Sequence, residues 1–535
     1  MLGQFDPWGN VMLSAVRSAS VVAATGTPVT VEAHIGLGLP VFTILGRPDD
    51  VCRESRDRVR AAILTSGFHW PSRRITINLA PATHKKVGSA LDLAIAIAVL
   101  VSDEQLPLQC AQGVAFLGEL GLDGRVRAVA GVAPMVLALR DDAPSEDDSL
   151  MPEHSPLQSV VVPTKNIAEA RIVRPPGLRC AQTLRQVAEC LVGLMPWPDV
   201  PEVRLDDGYL GDALDLCDVR GQAAARLGLE LSASGGHHLL LVGPPGSGKT
   251  MLAQRLPGIL PLLDEQTALE ATLIRSASGE PLPPSGLVTR PPIRMPHHGA
   301  SAVSIVGGGS SSLRPGEVSM AHGGVLFLDE LGEFAPSVLD ALRQPLEEGV
   351  IRVSRAHTRL TLPARFTLVG ATNPCPCGGG APGTCECDEV ALTRYRRRFS
   401  GPFLDRFDVR VLVHRPGVEE LLGDELGEST ACVAERVMRS RSIALERQGV
   451  LNARLSGEQL DHFAPVSPKG MELLRQELEH GRLTGRGLHR VRRVARTLAD
   501  RQGSIDVVSD AHIAAALALR ARVAPRRGDD LRSVV

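Results

Sequence analysis

Aromatic residues are scarce in this chain of 535 residues, at 3% of the sequence. This scarcity excludes a surface that recognises nucleic acid mainly by stacking bases on aromatic rings. Lysine is scarcer still, because it stands only at positions 85, 86, 165, 249 and 469 and arginine carries the remaining positive charge. The formal net charge is −2, so the chain as a whole has no basic excess that would attract nucleic acid or an anionic membrane. Any such partner must meet a local patch.

Long hydrophobic runs are also absent. The longest, Leu93 to Val101, is about half of the length that spans a bilayer. The start of the chain carries Asp6 and no basic residue before Arg17, which is unlike a secretory signal. We therefore expect a cytoplasmic protein without a membrane partner, in which the 10 cysteines are metal ligands or plain thiols rather than disulfides.

The length predicts several domains, and the composition places their boundaries. Strand-like patterns such as PVTVEAHI and RRITINLA indicate an α/β domain over 1–195, with an acidic surface loop near 141–156. A Pro- and Asp-rich stretch predicts a linker over 196–217. Apolar strands between helices then predict a parallel sheet covered on both faces over 218–420, and the helical pattern from 421 to 535 predicts a third domain.

One segment fits the phosphate-binding pattern G-x-x-x-x-G-K-[ST]. It follows the apolar strand HLLLV, precedes the helical MLAQRL, and consists of Gly243, Pro244, Pro245, Gly246, Ser247, Gly248, Lys249 and Thr250. Glycines at this spacing let backbone N–H groups surround phosphates at a helix N-terminus. Lys249 then reaches the β and γ oxygens and Thr250 binds Mg²⁺, so we expect ATP and Mg²⁺ as cofactors.

Two later strands end in polar residues that suit the same site. Asp329 follows the apolar strand VLFL and is expected to bind Mg²⁺, and Glu330 is expected to orient or deprotonate the attacking water. Asn373 ends the strand TLVGAT and either aligns that water or is a turn residue before Pro374.

These segments carry a resemblance to a known family. GPPGSGKT, FLDE and ATNP resemble the Walker A, Walker B and sensor-1 elements of AAA+ ATPases. The PHH triplet at 296–298, the segment GGGSSSLRPGEVSMAHGGVLFLDEL and SGPFLDRFD at 400–408 are similar to the ComM/YifB group of the magnesium-chelatase-like branch, over nearly the whole chain. The resemblance implies a Lon-protease-like α/β domain, a P-loop AAA+ core and a C-terminal helical lid.

The resemblance also implies roles for two arginines. The Arg of LDRF acts as an arginine finger in that family and matches Arg406, and a sensor-2 Arg opening the lid helix matches Arg486. Either residue could instead be a surface ion-pair partner. A finger that acts across a subunit boundary requires a closed ring, so the resemblance implies a homo-hexamer.

Four cysteines follow Asn373 with the spacing C-x-C-x7-C-x-C, at Cys375, Cys377, Cys385 and Cys387. Four thiolates this close together can close a tetrahedral structural Zn²⁺ site. The C-x-C spacing is less usual than C-x-x-C, so free loop thiols remain the alternative.

The N-terminal domain lacks the residues of a Lon-type peptidase. The position of the serine nucleophile is taken by Ala90, and Gly131-Val132-Ala133 leaves no lysine at the expected place. Ser89, Lys85 and Lys86 are neighbouring substitutes without a visible base. We therefore predict no peptidase activity.

A basic hairpin is expected over 347–363, with Arg352, Arg355, His357 and Arg359 in or near its turn. Such a finger suits a phosphate backbone, although ordinary solubilising charges explain it too. The Gly-rich stretch 289–314 is another basic loop and a second candidate for a pore loop. The arginines of the helix LHRVRRVARTLADR are expected on a solvated face, which solvent explains as well as DNA does.

Two functions remain open from the sequence. The resemblance favours a hexameric ATP-driven DNA motor that promotes branch migration or unwinding of recombination intermediates, as in natural transformation. Its partners would be branched or single-stranded DNA and recombination proteins. The alternative is a magnesium-chelatase-like ATPase that remodels a protein partner.

Overall fold

The computed structural model describes residues 12–83, 85–142, 156–201, 214–308, 313–355, 358–379, 385–399, 401–423, 426–503 and 506–521. The predicted acidic loop and linker lie partly outside these ranges, and His357 lies outside them. Within them, no helix is long and apolar enough to cross a membrane.

The N-terminal part is a mixed sheet with helices packed on it. Its described strands are β1 (Met12–Val22), β2 (Thr25–Gly36), β3 (Phe42–Leu45), β4 (Arg74–Ala80), β5 (Val114–Phe116), β6 (Glu119–Leu120), β7 (Val126–Arg127), β8 (Ser159–Pro163) and β9 (Leu178–Ala181). Its helices are α1 (Asp50–Thr65), α2 (Asp92–Ser102), α3 (Val132–Asp141), α4 (Ile167–Ile172) and α5 (Leu184–Leu191). The main sheet has the order β3-β4-β2-β1-β5-β8-β9, while β6 and β7 form a separate hairpin.

The sequence patterns located most of these elements. Strand β2 buries Val29, Val31 and Ala33 on one face, as its alternation predicts. Strand β1 was not predicted, although it pairs in antiparallel register with β2 from Thr25 to Ile35. Helix α2 begins at Asp92, after a turn over the preceding residues. It is buried along its whole length.

A second sheet forms the centre of the molecule. Its elements, with their surroundings, are α6 (Ala223–Gly235), β10 (Leu239–Val242), α7 (Lys249–Ile259), α8 (Glu265–Ser278), β11 (Ile293–Arg294), α9 (Ala302–Val306), β12 (Gly307–Gly308), β13 (Arg314–Pro315), α10 (Glu317–Met320), β14 (Val325–Leu328), α11 (Pro336–Ala341), α12 (Arg343–Glu348), β15 (Val350–Arg355), β16 (Thr358–Pro363), β17 (Thr367–Thr372), α13 (Glu389–Arg398), α14 (Gly401–Leu404), β18 (Val409–Leu412) and α15 (Val418–Leu422). The strand order is β11-β14-β17-β10-β18, and every described pair is parallel.

This parallel sheet confirms the predicted α/β core. Strands β10, β14 and β17 are buried nearly throughout, since helices cover both faces. Because the strands are parallel, the residues that follow β10, β14 and β17 meet at one edge of the sheet. Ligands of open parallel sheets bind at this carboxyl edge.

The C-terminal part is helical, as predicted. It contains α16 (Thr430–Gln448), α17 (Gly457–Phe463), α18 (Pro468–Glu479), α19 (Gly485–Arg501) and α20 (Asp510–Ala518). The expected solvated arginine face of α19 is wrong for two residues, because Arg492 and Arg496 are buried. Arg492 donates to the carbonyls of Leu460 and Ala464, and Arg496 donates to Asp500. These arginines therefore fix the lid rather than contact solvent.

Helix α8 joins the N-terminal sheet to the core. Leu269 and Leu273 pack against the core of the N-terminal part, and the Ser276 hydroxyl donates to the buried Glu169 carboxylate at 2.5 Å. The backbone N–H of Gly131 donates to the carbonyl of Ser276 at 2.9 Å. Apolar packing and polar bonds at one helix thus attach the two parts.

Candidate functional site

The loop between β10 and α7 has a backbone that only glycine adopts easily. Gly246 and Gly248 have φ of 74° and 84°, in the left-handed region. A Cβ at Gly243 would lie 2.2 Å from the carbonyl oxygen of Val413, so a side chain cannot fit there. The Gly243 N–H donates to the Thr372 carbonyl at 3.1 Å, which fixes the start of the loop to β17.

Lys249, Thr250 and Asp329 are brought together at the carboxyl edge. The Lys249 ammonium donates to the carbonyls of Gly243 and Pro244 at 2.8 and 2.9 Å. Burial lowers the pKa of Lys249, while the charges of Asp329 and Glu330 act in the opposite direction. The Thr250 hydroxyl donates to Asp329 Oδ2 at 2.7 Å, so the two expected magnesium ligands are already adjacent.

Glu330 has an unusual backbone. Its φ of 49° lies in the left-handed region, which disfavours residues other than glycine. Its N–H donates to Asp329 Oδ1 at 2.9 Å, and its carboxylate lies 3.1 Å from His298 Nδ1. Strained residues of this kind concentrate at functional sites.

Asn373 lies close to the phosphate loop. Its Oδ1 accepts from the Lys249 ammonium at 3.3 Å, and its carbonyl accepts from the Tyr395 hydroxyl at 2.9 Å. The same hydroxyl lies 2.9 Å from the Thr372 hydroxyl, so Tyr395 anchors the end of β17. Asn373 is thus a partner of the P-loop lysine rather than a solvent-facing turn residue.

The donor set fits a magnesium nucleotide. Because the glycines have no side chains, the backbone N–H groups of the loop are open to a phosphate. Lys249 supplies a positive charge. The Thr250 hydroxyl and the Asp329 carboxylate are oxygen ligands of the type that Mg²⁺ prefers. When bound, the metal nucleotide supplies the phosphoryl group and neutralises its charge. The ends of three parallel strands hold these side chains in place.

Arg406 lies at the other end of the sheet. It precedes β18, which pairs with β10 so that Leu239 faces Val409. Lys249 follows the carboxyl end of β10, so these two residues lie at opposite ends of the strands. The Arg406 guanidinium pairs with Glu347, and its carbonyl accepts from Arg490.

Arg486 lies near the same amino edge. It is exposed in the first turn of α19, and Arg490 follows it by four residues on the same helix face. Arg490 donates to the Arg406 carbonyl at 2.9 Å and to the buried Asp408 at 2.7 Å. Arg486 therefore belongs to the part of α19 that meets the Arg406 segment.

A cavity of ≈ 950 Å³ separates the amino ends of the core strands from the lid. Among the described residues, its lining includes six arginines and four acidic residues, namely Arg365, Arg406, Arg441, Arg454, Arg490, Arg493, Asp264, Glu347, Glu348 and Asp408. Burial and the neighbouring charge of Arg454 lower the pKa of Arg441 to about 10. The cavity is a positively charged space on the Arg406 side of the core.

The four cysteines form a compact cluster. Their sulfur atoms all lie within 4.8 Å of one another, with Cys375 and Cys377 3.2 Å apart, Cys377 and Cys385 3.8 Å apart, and Cys385 and Cys375 3.6 Å apart. A tetrahedral zinc site with Zn–S bonds of about 2.3 Å places its sulfurs about 3.8 Å apart. The cluster therefore fits zinc, with Cys375, Cys377, Cys385 and Cys387 as ligands.

The predicted basic hairpin is present as β15 and β16. Arg355 pairs with Thr358 and Ser354 with Arg359 in its ladder, which places Arg355 and Arg359 next to the turn. Arg352 is exposed and forms an ion pair with Glu348. The charge of Arg352 is thus partly neutralised within the hairpin.

In the N-terminal part, the residues at the expected peptidase position are arranged differently from a serine–lysine dyad. Ala90 is buried, the Ser89 hydroxyl donates to Glu119, and the Lys86 ammonium donates to the Pro81 carbonyl. Burial lowers the pKa of Lys86. Serine and lysine therefore have separate partners.

The contacts of three residues at the two edges were not predicted from the sequence, although His298 belongs to the PHH triplet. Gln222 donates to the Ser247 carbonyl at 2.7 Å and supports the phosphate loop from the side. His298 contacts Glu330, and Arg490 contacts the Arg406 segment. The i, i+4 spacing of Arg486 and Arg490 was the one signal available for the last of them.

Comparisons with known proteins agree with this architecture. Family models match three segments: magnesium chelatase subunit ChlI over residues 215–421, subunit ChlI of Mg-chelatase over 31–154, and the ChlI C-terminal model over 427–520. Competence protein ComM of Haemophilus influenzae is 39% identical over 516 residues, which cover 96% of this chain and 98% of that protein. Uncharacterized protein YifB of Escherichia coli is 40% identical over 513 residues, which cover 95% and 97%.

The chain belongs to the ComM/YifB family. It is a magnesium-chelatase-like AAA+ ATPase, as its motifs predicted. A partial match is the probable DNA helicase MCM9 of Oryza sativa, 26% identical over 172 residues, which cover 32% of this chain and 21% of that protein.

Proposed function

We propose that this ComM/YifB protein is a hexameric, ATP-driven DNA motor that promotes branch migration or unwinding of recombination intermediates. The observation that carries the proposal is the division of the hydrolytic groups between two ends of one sheet. Lys249, Thr250 and Asp329 lie at the carboxyl edge, and Arg406 lies at the amino edge. One subunit therefore presents a phosphate site on one side and a guanidinium on the other.

Within one phosphate site, each side chain has a distinct task. Lys249 binds the phosphate oxygens, and Thr250 and Asp329 bind Mg²⁺. Glu330 activates the attacking water, and Asn373 orients it from its position beside Lys249. These assignments agree with the adjacency of the side chains at the edge.

The guanidinium of Arg406 completes the site of a neighbouring subunit in this proposal. A strand of four residues spans about 13 Å, which a single side chain does not bridge. A cation at the γ-phosphate stabilises the transition-state charge, and a closed ring lets every subunit both give and receive one. Arg486 and Arg490 enter the same interface from α19.

Two observations support DNA as the substrate in this proposal. One relative is named a competence protein and another a probable DNA helicase. The β15–β16 hairpin carries Arg352, Arg355 and Arg359, which suit a phosphate backbone. Recombination proteins acting on the same branched DNA are the expected partners, in the cytoplasm.

The cysteine cluster supports a structural Zn²⁺ next to the nucleotide. Cys375 follows Asn373 by two residues, and a Cβ at Gly378 would lie 2.7 Å from Pro245 Cδ. The cluster therefore packs against the phosphate loop. In the proposal, zinc holds this loop as a rigid support for Asn373 and the P-loop.

The test is whether branched DNA stimulates ATP hydrolysis and is itself unwound. We expect Holliday-junction or forked DNA to raise the ATPase rate and to be converted to its unwound products. Lys249→Ala is the control that removes phosphate binding while leaving the hairpin intact. Hydrolysis that no DNA stimulates, without unwinding, would contradict the DNA assignment.

A second function is favoured by the family models, which are all of magnesium chelatase. In that alternative the same ATPase remodels a protein partner. It predicts stimulation by a protein in place of DNA. The same assay therefore separates the two functions.

A further inference from the structure

The cavity at the amino edge of the core is lined by more arginines than carboxylates. It has a volume of ≈ 950 Å³ and lies between the amino ends of the core strands and the lid. Each carboxylate of its lining already has a partner: Asp264, Glu347, Glu348 and Asp408 are engaged by Thr267, Arg406, Arg352 and Arg490, in that order. The other arginines of the lining are left without these carboxylates as counter-charges.

Three of these arginines are close enough to repel one another. Within the described part of the chain, no carboxylate forms an ion pair with Arg365, Arg441 or Arg454. Burial and the charge of Arg365 lower the pKa of Arg454, and burial and the charge of Arg454 lower the pKa of Arg441 to about 10. The Arg441 guanidinium donates to the Ala233 carbonyl at 2.6 Å, which is a neutral partner. An anion between the three guanidinium groups would relieve this repulsion.

The three arginines come from both walls of the cavity. A Cβ at Gly349 would lie 3.1 Å from Arg365 Cγ, so Arg365 lies over the base of the β15–β16 hairpin, in the core. Arg441 lies in α16 and Arg454 follows that helix, so both belong to the lid. A ligand that contacts all three arginines would connect the core to the lid.

The chemistry of the lining selects the class of ligand. The planar guanidinium group matches the oxygens of a phosphate with two parallel hydrogen bonds. Three such groups around one space suit an anion that carries more than one phosphate. The volume of the cavity lies within the range of about 300–1,000 Å³ that is typical of small-molecule pockets, which favours a small ligand over a DNA duplex.

We propose that this cavity binds a small polyphosphate anion, which Arg365 contacts from the core and Arg441 and Arg454 contact from the lid. The anion is either free, as pyrophosphate, or the polyphosphate part of a nucleotide. Its binding stabilises the folded subunit, because it neutralises charges that otherwise repel one another and joins two parts of the chain. The phosphate loop lies at the carboxyl edge of the same sheet, so the two sites are separate.

The test measures the binding of pyrophosphate by calorimetry, without Mg²⁺, to the full chain carrying Lys249→Ala, which weakens phosphate binding at the phosphate loop. Arg365→Gln and Arg454→Gln are each added to this protein, because neither side chain forms a hydrogen bond with a described residue that folding would lose. Arg439→Gln is the matched control, since Arg439 is an exposed arginine of α16 that pairs with Glu435 and does not line the cavity. ADP and inorganic phosphate are compared with pyrophosphate.

We expect Arg365→Gln and Arg454→Gln each to weaken pyrophosphate binding about 10- to 100-fold, as the loss of a hydrogen bond to a charged group does. Arg439→Gln should change it less than about 2-fold. Pyrophosphate should raise the midpoint of thermal unfolding of the Lys249→Ala protein, and the same concentration should raise it less when Arg454→Gln is added. Inorganic phosphate should bind more weakly than pyrophosphate. ADP that binds as tightly as pyrophosphate identifies a nucleotide as the source of the anion, and weaker binding of ADP identifies the free anion.

Four results would overturn the proposal. The first is a lack of pyrophosphate binding, and the second is equal weakening by Arg439→Gln and Arg454→Gln, since the attraction would then be non-specific. The third is binding of a DNA oligonucleotide in place of every small anion. The fourth is binding that Arg406→Ala abolishes while Arg365→Gln and Arg454→Gln retain it, because the anion would then belong to the site proposed between subunits.

Discussion

The buried charges of the lid give a prediction whose size follows from the structure. Asp500 is fully buried and accepts from Arg447 at 2.6 and 3.0 Å, from Asn452 at 2.7 Å and from Arg496 at 3.0 Å. Asp500→Asn keeps the shape but removes the buried carboxylate charge that two guanidinium groups share. Removing one partner of a buried pair costs about 3–5 kcal/mol.

Asp461→Asn is the matched control. Asp461 also pairs with an arginine of α19, since Arg492 donates to it at 2.6 Å, but the Asp461 side chain is 75% exposed. Arg492 keeps its bonds to the carbonyls of Leu460 and Ala464. The expected cost is therefore below about 1 kcal/mol.

Native-state hydrogen exchange of the α16 and α19 amides measures both variants. A loss of 3–5 kcal/mol reduces the protection factors of these amides by about 10²- to 10⁴-fold in Asp500→Asn, while Asp461→Asn changes them by less than about 10-fold. Equal losses in the two variants would refute the reasoning, because burial would then not decide the cost.

Three further predictions concern separate parts of the chain. Burial lowers the pKa of His238 to about 4, and its Nδ1 accepts from the Leu368 N–H, so the unfolded chain binds an extra proton between about pH 6.5 and 4. The free energy of unfolding should fall by up to about 3 kcal/mol as the pH drops through this window. His238→Asn keeps an acceptor for the Leu368 N–H, and urea titrations should show a smaller dependence of its unfolding free energy on pH. An unaltered pH dependence contradicts the low pKa of His238. Purified protein should contain about one zinc per chain by elemental analysis, lost in Cys385→Ser and retained in Cys432→Ser, whose thiol is exposed outside the cluster; metal-free protein refutes the site. Casein should not be hydrolysed, and hydrolysis that Ser89→Ala abolishes would show that the peptidase prediction is wrong.

Local patterns predicted what depends on neighbours along the chain. The strand and glycine signals around Lys249 located the phosphate loop, and the apolar runs before Asp329 and Asn373 placed both at one sheet edge. The cysteine spacing predicted a cluster that the sulfur distances support. Each of these features is determined by residues that are close together in the sequence.

What depends on packing between distant segments was not predictable. The contact of His298 with Glu330 arises because β11 and β14 are neighbours in the sheet, which no local pattern encodes. Arg496 was expected in solvent because it is charged, whatever its position on the helix. Its ion pair with Asp500 makes its burial possible. Strand β1 was missed because its alternation of small polar residues is weak, and β2 supplies its pairing.

The central claim is that one subunit's phosphate loop works with the next subunit's arginine, and subunit mixing tests it most directly. Lys249→Ala and Arg406→Ala proteins are each expected to be inactive as ATPases. In random mixed rings, an intact loop meets an intact Arg406 at about a quarter of the interfaces, so an equimolar mixture should recover about a quarter of the unmodified rate. A mixture as inactive as its components, although mixed rings form, would contradict the account.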